Sequence, residues 1–306
     1  MGDSGDLASA YNDDSVLFRV LRHLGWDSLV DIGYFTLPTL PLVVLTGPAP
    51  FQRRLARRSL ALLDARPGQL VLDAACGRGD TTARLGAMGC RALGVDIQPA
   101  QIEQARHRFG GLSGVRFAVA DATALPRQAA RIPLADGSFD RVHCLEAAFH
   151  FGHEGRRSFL GESFRLLRPG GRLVLVDVTS RADQPIGALD ATGLVRGTWR
   201  FDDIEPYERY PLMASAAGFT TRRILDWTTP VLHRAAQLCA LFAATASTRA
   251  GRQALRVRWP GLRTLDEQDW DEVIAVVRAH RAIGRGTRYT AYVLDKPADG
   301  VADVAP

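Results

Sequence analysis

The sequence predicts an α/β fold, a seven-stranded and mostly parallel sheet with an N-terminal helical cover and a helical cap inserted late in the chain. Three observations predict it. The first is VLDAACGRGD at 71–80, where an apolar run ends in Asp73 and a small-residue turn carries Gly77 and Gly79 into a helix-forming segment. A buried strand, a tight turn and a helix start bring backbone N–H groups and a positive helix end up to a ligand. The second is the regular alternation of strand-like and helix-like segments that follows, which argues for parallel strands joined by crossover helices. The third is that Asp73, Asp96 and Asp121 fall at or just after the ends of the first three strands.

Taken in order, 1–10 is small and polar and reads as a frayed start. Over 14–24, Val16, Leu17, Val20, Leu21 and Leu24 recur with a helical period. The uncharged stretch 32–51 holds Pro38, Pro41, Pro48 and Pro50. No spanning helix of that length carries so many prolines, so it reads as an irregular apolar cover. A helix is predicted over 51–63, and Pro67 with Gly68 breaks the chain before the first core strand. Strands follow at 69–74, 90–96, 115–120, 139–145 and 171–178, with helices at 79–88, 99–109 and 155–168. RPGG at 168–171 reads as a helix stop and a turn into the fifth strand. A helix at 205–217, a strand at 220–227, helices at 232–245 and 269–282, and a strand at 289–294 complete the pattern. The segments 181–204 and 228–286 have no place in the minimal sheet and are assigned to substrate enclosure. The layout is therefore a cover (1–64), a ligand-binding core (65–180), the rest of the sheet with its cap (181–297) and a tail (298–306).

With 46% hydrophobic and 23% charged residues, the 306-residue chain has an ordinary globular composition. Its net charge of +5 comes mostly from scattered arginines. No basic stripe alternates with aromatics, which argues against a nucleic-acid partner. Cys76, Cys90, Cys144 and Cys239 lie far apart and read as reduced thiols of a cytoplasmic protein, with no disulfide or metal framework. Asp3, Asp6, Asp13 and Asp14 spoil a positively charged leader, and no membrane partner is expected.

In an open parallel sheet the ligand lies beyond the carboxyl ends of the strands, so the three aspartates converge on one crevice. Asp96 lies 23 residues after Asp73, where a carboxylate can take both ribose hydroxyls of a nucleoside. Asp121 and Ala122 follow the third strand, where an acceptor can meet an adenine amino group and an N–H a ring nitrogen. A dinucleotide fits less well. Its third glycine position is Thr82, and Asp80 would repel a pyrophosphate.

VLDAACGRGD, GVDIQPAQIEQAR, FAVADATALP, ADGSFDRV and LRPGGRLVLVD, in this order and spacing, resemble the class I S-adenosylmethionine-dependent methyltransferases over 65–180, and more loosely to 295. GYF at 33–35, EAAFHF at 146–151, and AGF at 217–219 leading to DWT at 226–228 are similar to the small-molecule branch. That branch includes natural-product sugar O-methyltransferases and the tocopherol and phosphoethanolamine methyltransferases. The resemblance implies a Rossmann-like core with S-adenosyl-L-methionine as cofactor. It places donor contacts on Asp73, Ala75, Gly77, Gly79, Asp96, Ile97, Asp121, Ala122 and Leu145. The expected reaction is methyl transfer to a small-molecule acceptor, foremost to a hydroxyl of a natural product. The family usually has glycine where this chain has Ala75, and often where it has Asp80. The segment 127–132 looks inserted.

Matching positions in sugar O-methyltransferases serve as base and partner, which is what the resemblance implies for His150 and Asp177. The alternative is that His150 only lines the pocket, as in relatives that methylate carbon or nitrogen. His143, inside the strand pattern, reads as a packed or surface histidine. Glu146 is a further polar wall. Tyr11, Tyr34, Phe35, Phe149, Trp199 and Trp227 are candidate acceptor-pocket aromatics, each also open to a plain core role. The 228–286 helices suit a homodimer contact equally well. Two other classes stay open: a donor-binding cyclase of the same fold, told apart by an unchanged product mass, and a methyltransferase acting on a polymer. An enclosing cap counts against the latter.

Overall fold

The computed structural model of the chain describes residues 16–25, 31–37, 41–181 and 186–298. Helices α1 (Val16–His23), α2 (Leu42–Thr46) and α3 (Ala49–Leu62) precede β1 (Leu70–Ala74), α4 (Asp80–Ala87), β2 (Arg91–Asp96), α5 (Pro99–Phe109) and β3 (Val115–Val119). The short strands β4 (Gln128–Ala129) and β5 (Ile132–Pro133) come next, then β6 (Phe139–Leu145), a 3-10 turn (Ala148–His150), α6 (Gly152–Leu166) and β7 (Leu167–Ser180). The remainder holds α7 (Ile186–Leu189), α8 (Leu194–Trp199), α9 (Arg209–Ala216), β8 (Thr220–Asp226), α10 (Arg234–Ala246), α11 (Arg249–Arg258), α12 (Glu267–Ile283) and β9 (Thr287–Asp295).

The sheet runs β3-β2-β1-β6-β7-β9-β8. β1 pairs in parallel with β2 and β6, as β2 does with β3 and β6 with β7, while β8 and β9 are antiparallel. Every residue of β6 is buried, as helices on both faces of a parallel sheet require. β8 is the opposite case, an edge strand whose Thr and Arg side chains stay largely exposed and discourage further pairing. Strand order reverses between β1 and β6, and a crevice opens at such a switch point beyond the strand ends.

The chain divides into two compact units. One comprises 56–179, 205–226 and 290–306 and carries the sheet around a core that includes Leu72, Val95, Phe139, Phe159 and Tyr292. The other comprises 1–55, 180–204 and 227–289, and is mostly helical, packed on Val20, Leu262, Trp270, Val273 and Val277.

Four local readings change. RPGG does not stand between helix and strand: it lies within β7, with Gly170 left-handed at φ 72°. The helix expected at 205–217 is shorter because Glu205 is drawn into a buried ion pair ahead of it. The helix expected at 232–245 is preceded by a π-helical turn over Thr229–His233. The inserted 127–132 segment forms the β4–β5 hairpin, turned by Ala130 and Arg131, both with positive φ.

Candidate functional site

The donor half of the crevice starts at the end of β1. Sheet register sets Asp73 beside His143 of β6. Asp73 is 2% exposed, and its Oδ2 accepts from the hydroxyls of Thr81 (2.7 Å) and Thr82 (2.6 Å) in the first turn of α4. Its Oδ1 accepts from His143 Nδ1 at 2.8 Å, and His143 Nε2 lies 3.0 Å from Ser59 Oγ on α3. The donor contact expected of Asp73 is not what this geometry offers, since the side chain is almost wholly buried and three of its roughly four acceptor sites are filled inside the protein, where Asp96 fills two. His143 is a fully buried, hydrogen-bonded packing residue.

The turn itself is held by unusual backbone. Ala75, Gly77 and Gly79 all have positive φ, of 53°, 52° and 83°. A left-handed alanine is strained, which explains why glycine suits this place. A Cβ on Gly79 would lie 2.7 Å from the Phe117 ring, so that glycine serves close helix–strand packing. A Cβ on Gly77 would meet nothing within 4 Å.

Asp96, at the end of β2, takes Gly77 N on Oδ2 and Gln98 N on Oδ1, both at 2.9 Å. Burial pushes its carboxyl above the usual range, and the two amide bonds pull it back. Ile97 beside it is exposed, while Ala122 and Leu145 are buried. Asp121 spends Oδ1 on Thr123 N (2.8 Å) and Thr123 Oγ1 (2.7 Å), a turn of its own making. Asp80 is not the bare carboxylate expected, because Arg108 holds both its oxygens at 2.7 and 3.2 Å. Its repulsion of a pyrophosphate is therefore blunted, and the Thr82 position is the better argument against a dinucleotide.

The other half lies at the ends of β6 and β7. Glu146 turns the chain with φ 50° and donates its N–H to Val176 O at 2.8 Å. The 3-10 turn then presents Phe149 and His150, half-buried with ring centres 4.0 Å apart. Asp177 is wholly buried and accepts from Tyr210 Oη (2.9 Å), Val178 N (2.9 Å) and the backbone N–H of Phe149. Burial raises its carboxyl to about 7 against those donors and the nearby Arg156. A side chain with no exposed surface does not receive an acceptor hydroxyl. Asp177 acts on the turn that carries His150, through the Phe149 amide.

Sequence reasoning missed the second support of that turn. Arg156 is fully buried; it donates to Glu205 Oε2 (3.1 Å) and to Ala148 O (3.4 Å). Glu205, 2% exposed, also takes His153 Nδ1 at 3.0 Å. The signal was present, because Arg156 is in line with Phe159, Leu160 and Ser163 on the buried face of α6.

The remaining aromatics belong to the helical unit, apart from Tyr11, which lies outside the described residues. Tyr34 meets Trp227 edge-on at 5.8 Å. Phe35 is 3% exposed and stacked on Phe51, and Trp199 packs edge-on against Phe18 while donating to His280. Phe35 and Trp199 thus have packing partners of their own. Among the described residues no group of three or more His, Cys, Asp or Glu could hold a metal, and no helix is long and apolar enough to cross a membrane.

Residues 71–171 match a family model described as "Methyltransferase domain". The chain is 33% identical to methyltransferase GfsG of Streptomyces halstedii over 56% of its own length and 60% of that protein's. It is 34% identical to O-methyltransferase cnsE of Penicillium expansum over 42% and 44% of the respective lengths. The chain therefore spans about half the length of these curated relatives. In fold it is similar to a geranyl diphosphate C-methyltransferase from Streptomyces coelicolor A3(2), solved with Mg2+, geranyl diphosphate and S-adenosyl-L-homocysteine. There the TM-score is 0.65 at 17% identity, covering 97% and 98% of the two chains.

Proposed function

We propose that the chain, which belongs to the class I S-adenosylmethionine-dependent methyltransferases, methylates a hydroxyl of a small molecule in natural-product biosynthesis. The donor, S-adenosyl-L-methionine, suits the crevice on the structure's own terms. The turn opens on free space at Gly77, and Asp96 is fixed at the end of β2 by two backbone amides, which supports its proposed role toward the ribose diol. Asp96, Ile97, Asp121, Ala122 and Leu145 would hold the nucleoside, with the backbone of Gly77 and Gly79 beside it. When bound, the donor supplies a methyl group on an electrophilic sulfonium.

His150 does the acid–base work. An alcohol is a poor nucleophile until its proton is taken, and an imidazole suits that task near neutral pH. The observation that carries this role is the anchoring of its turn on both sides, by Asp177 at the Phe149 amide and by Arg156 at the Ala148 carbonyl. A fixed turn holds a base within reach of a fixed acceptor, and orientation is a large part of such catalysis. The relative named as an O-methyltransferase supports oxygen as the acceptor atom.

The test is His150→Ala. General-base help is typically worth about 10²–10⁴-fold, so kcat should fall by that factor while S-adenosylhomocysteine affinity barely moves. The rate should rise with pH through the imidazole's titration in the parent and lose that limb in the variant. Near-full activity in the variant would remove the base and point to a carbon or amine acceptor. A product of unchanged mass would mean a cyclase.

A further inference from the structure

Asp73 was expected to touch the donor, and the structure gives it other work. We infer that Asp73, His143 and Ser59 form a buried clamp that holds the glycine turn in its donor-binding shape. Asp73 then governs donor affinity without touching the donor. This rests on the methyl-donor reading of the crevice.

The chain of contacts is continuous. An ionised carboxylate only accepts, so the proton between Asp73 and His143 sits on Nδ1. That bond, at 2.8 Å, and the 3.0 Å approach of Ser59 Oγ to Nε2 tie α3 to β6 and β6 to β1. From β1 the carboxylate reaches forward to the Thr81 and Thr82 hydroxyls. α4 begins with Gly79 as N-cap and has no side-chain cap of its own. The Asp73 charge stands at its first turn instead, where a helix favours an anion.

Between the two ends of this clamp lie Ala75, Gly77 and Gly79, all left-handed. Such backbone persists only where its surroundings over-determine it. Ser59 and His143 are fully buried, and polar groups are placed at such depth at a cost unless hydrogen-bonded. Ser59 Oγ also lies 2.9 Å from Ala56 O of its own helix, and its other contact leads through His143 and Asp73 to the turn that opens at Gly77.

The experiment measures dissociation constants of S-adenosylmethionine and S-adenosylhomocysteine by calorimetry on the full chain, with hydrogen exchange of the Thr81, Thr82 and Ala83 amides. His143→Leu should weaken both ligands by the same factor, about tenfold, and speed exchange at those amides. His143→Asn, which restores a donor near the Nδ1 position, should recover most of the loss. Ser59→Ala removes only the outer contact and should weaken both ligands about threefold, keeping the test decisive if His143→Leu does not fold. Folded His143→Leu or Ser59→Ala with parental affinities would overturn the clamp. So would Asp73→Asn that weakens the sulfonium ligand far more than its neutral product, because that marks direct charge contact. A parent chain that binds neither ligand would overturn the donor reading itself.

Discussion

Asp73 and Asp177 are the same residue type, both toward the carboxyl ends of central strands of one sheet, yet they are satisfied differently. Asp73 is met by two hydroxyls and an imidazole, all from side chains that converge on it. Asp177 is met by one phenol and two backbone amides, with Arg156 as the nearby charge. At Asp177 burial outweighs its donors and Arg156 and lifts the carboxyl to about 7. The lesson is that a strand-end aspartate is not a ligand contact by position alone. Its partners decide whether it meets the ligand or holds the backbone that does.

The largest effect should come from the charge that supports the Asp177 side. Arg156→Met leaves Glu205 buried with only His153 and, at 3.8 Å, Arg209 beside it, and breaking a buried pair typically costs about 3–5 kcal/mol. Urea unfolding should show that loss. The double change Arg156→Met with Glu205→Leu should recover a substantial part of it, because neither charge then needs a partner. If the single variant loses under about 1 kcal/mol, Arg156 is not holding this half of the rim.

Next comes Asp177 itself. Its folded-state value, about 7, lies above the ordinary carboxylate value of 3.8, so the folded chain keeps a proton that the unfolded chain releases. Stability from this group is complete below pH about 4, falls as pH rises toward about 7, and is flat above. The full difference is on the order of 4 kcal/mol. Asp177→Asn should remove this slope, so that parent and variant stabilities converge at low pH and diverge in the variant's favour near pH 8. Parallel stability curves over that range would mean that Asp177 binds its proton no more tightly in the folded chain than in the unfolded one.

How legible these two regions were depends on what kind of signal each leaves. The sheet was readable because buried parallel strands carry apolar runs, as β1 does over 70–72, β2 over 92–95 and β7 over 173–176. The Asp73, Asp96 and Asp121 positions were readable because each stands at or close to the end of a strand. The role of Asp73 was not, because Ser59 lies 14 residues before it and His143 70 residues after, and only sheet register joins them. Arg156 was hidden in the charged run HEGRR, which looks like a solvated face until the period of α6 is followed through Phe159 and Ser163. α11 was not singled out, since Leu255 and Val257 are the only large apolar side chains in its Arg-rich sequence RAGRQALRVR, and of the two only Leu255 is buried.

The smallest effect tests the turn on the Asp73 side, through Ala75→Gly. A left-handed non-glycine residue costs about 1–2 kcal/mol, which glycine would relieve. Against that, glycine makes the unfolded chain freer by about 0.4–1 kcal/mol. The lost methyl, half-buried against the core cluster, gives up at most about 0.8 kcal/mol more. These terms nearly cancel, so stability should move by less than about 1 kcal/mol in either direction. Donor affinity is the more telling readout. If the strained alanine is held in place by the Asp73 clamp, relieving it should make the turn less dependent on that clamp. Ala75→Gly should then soften the affinity loss of Ser59→Ala when the two are combined. Strict additivity of the two changes in donor binding would separate the turn from the clamp, and the contrast with Asp177 would rest on its hydrogen bonds alone.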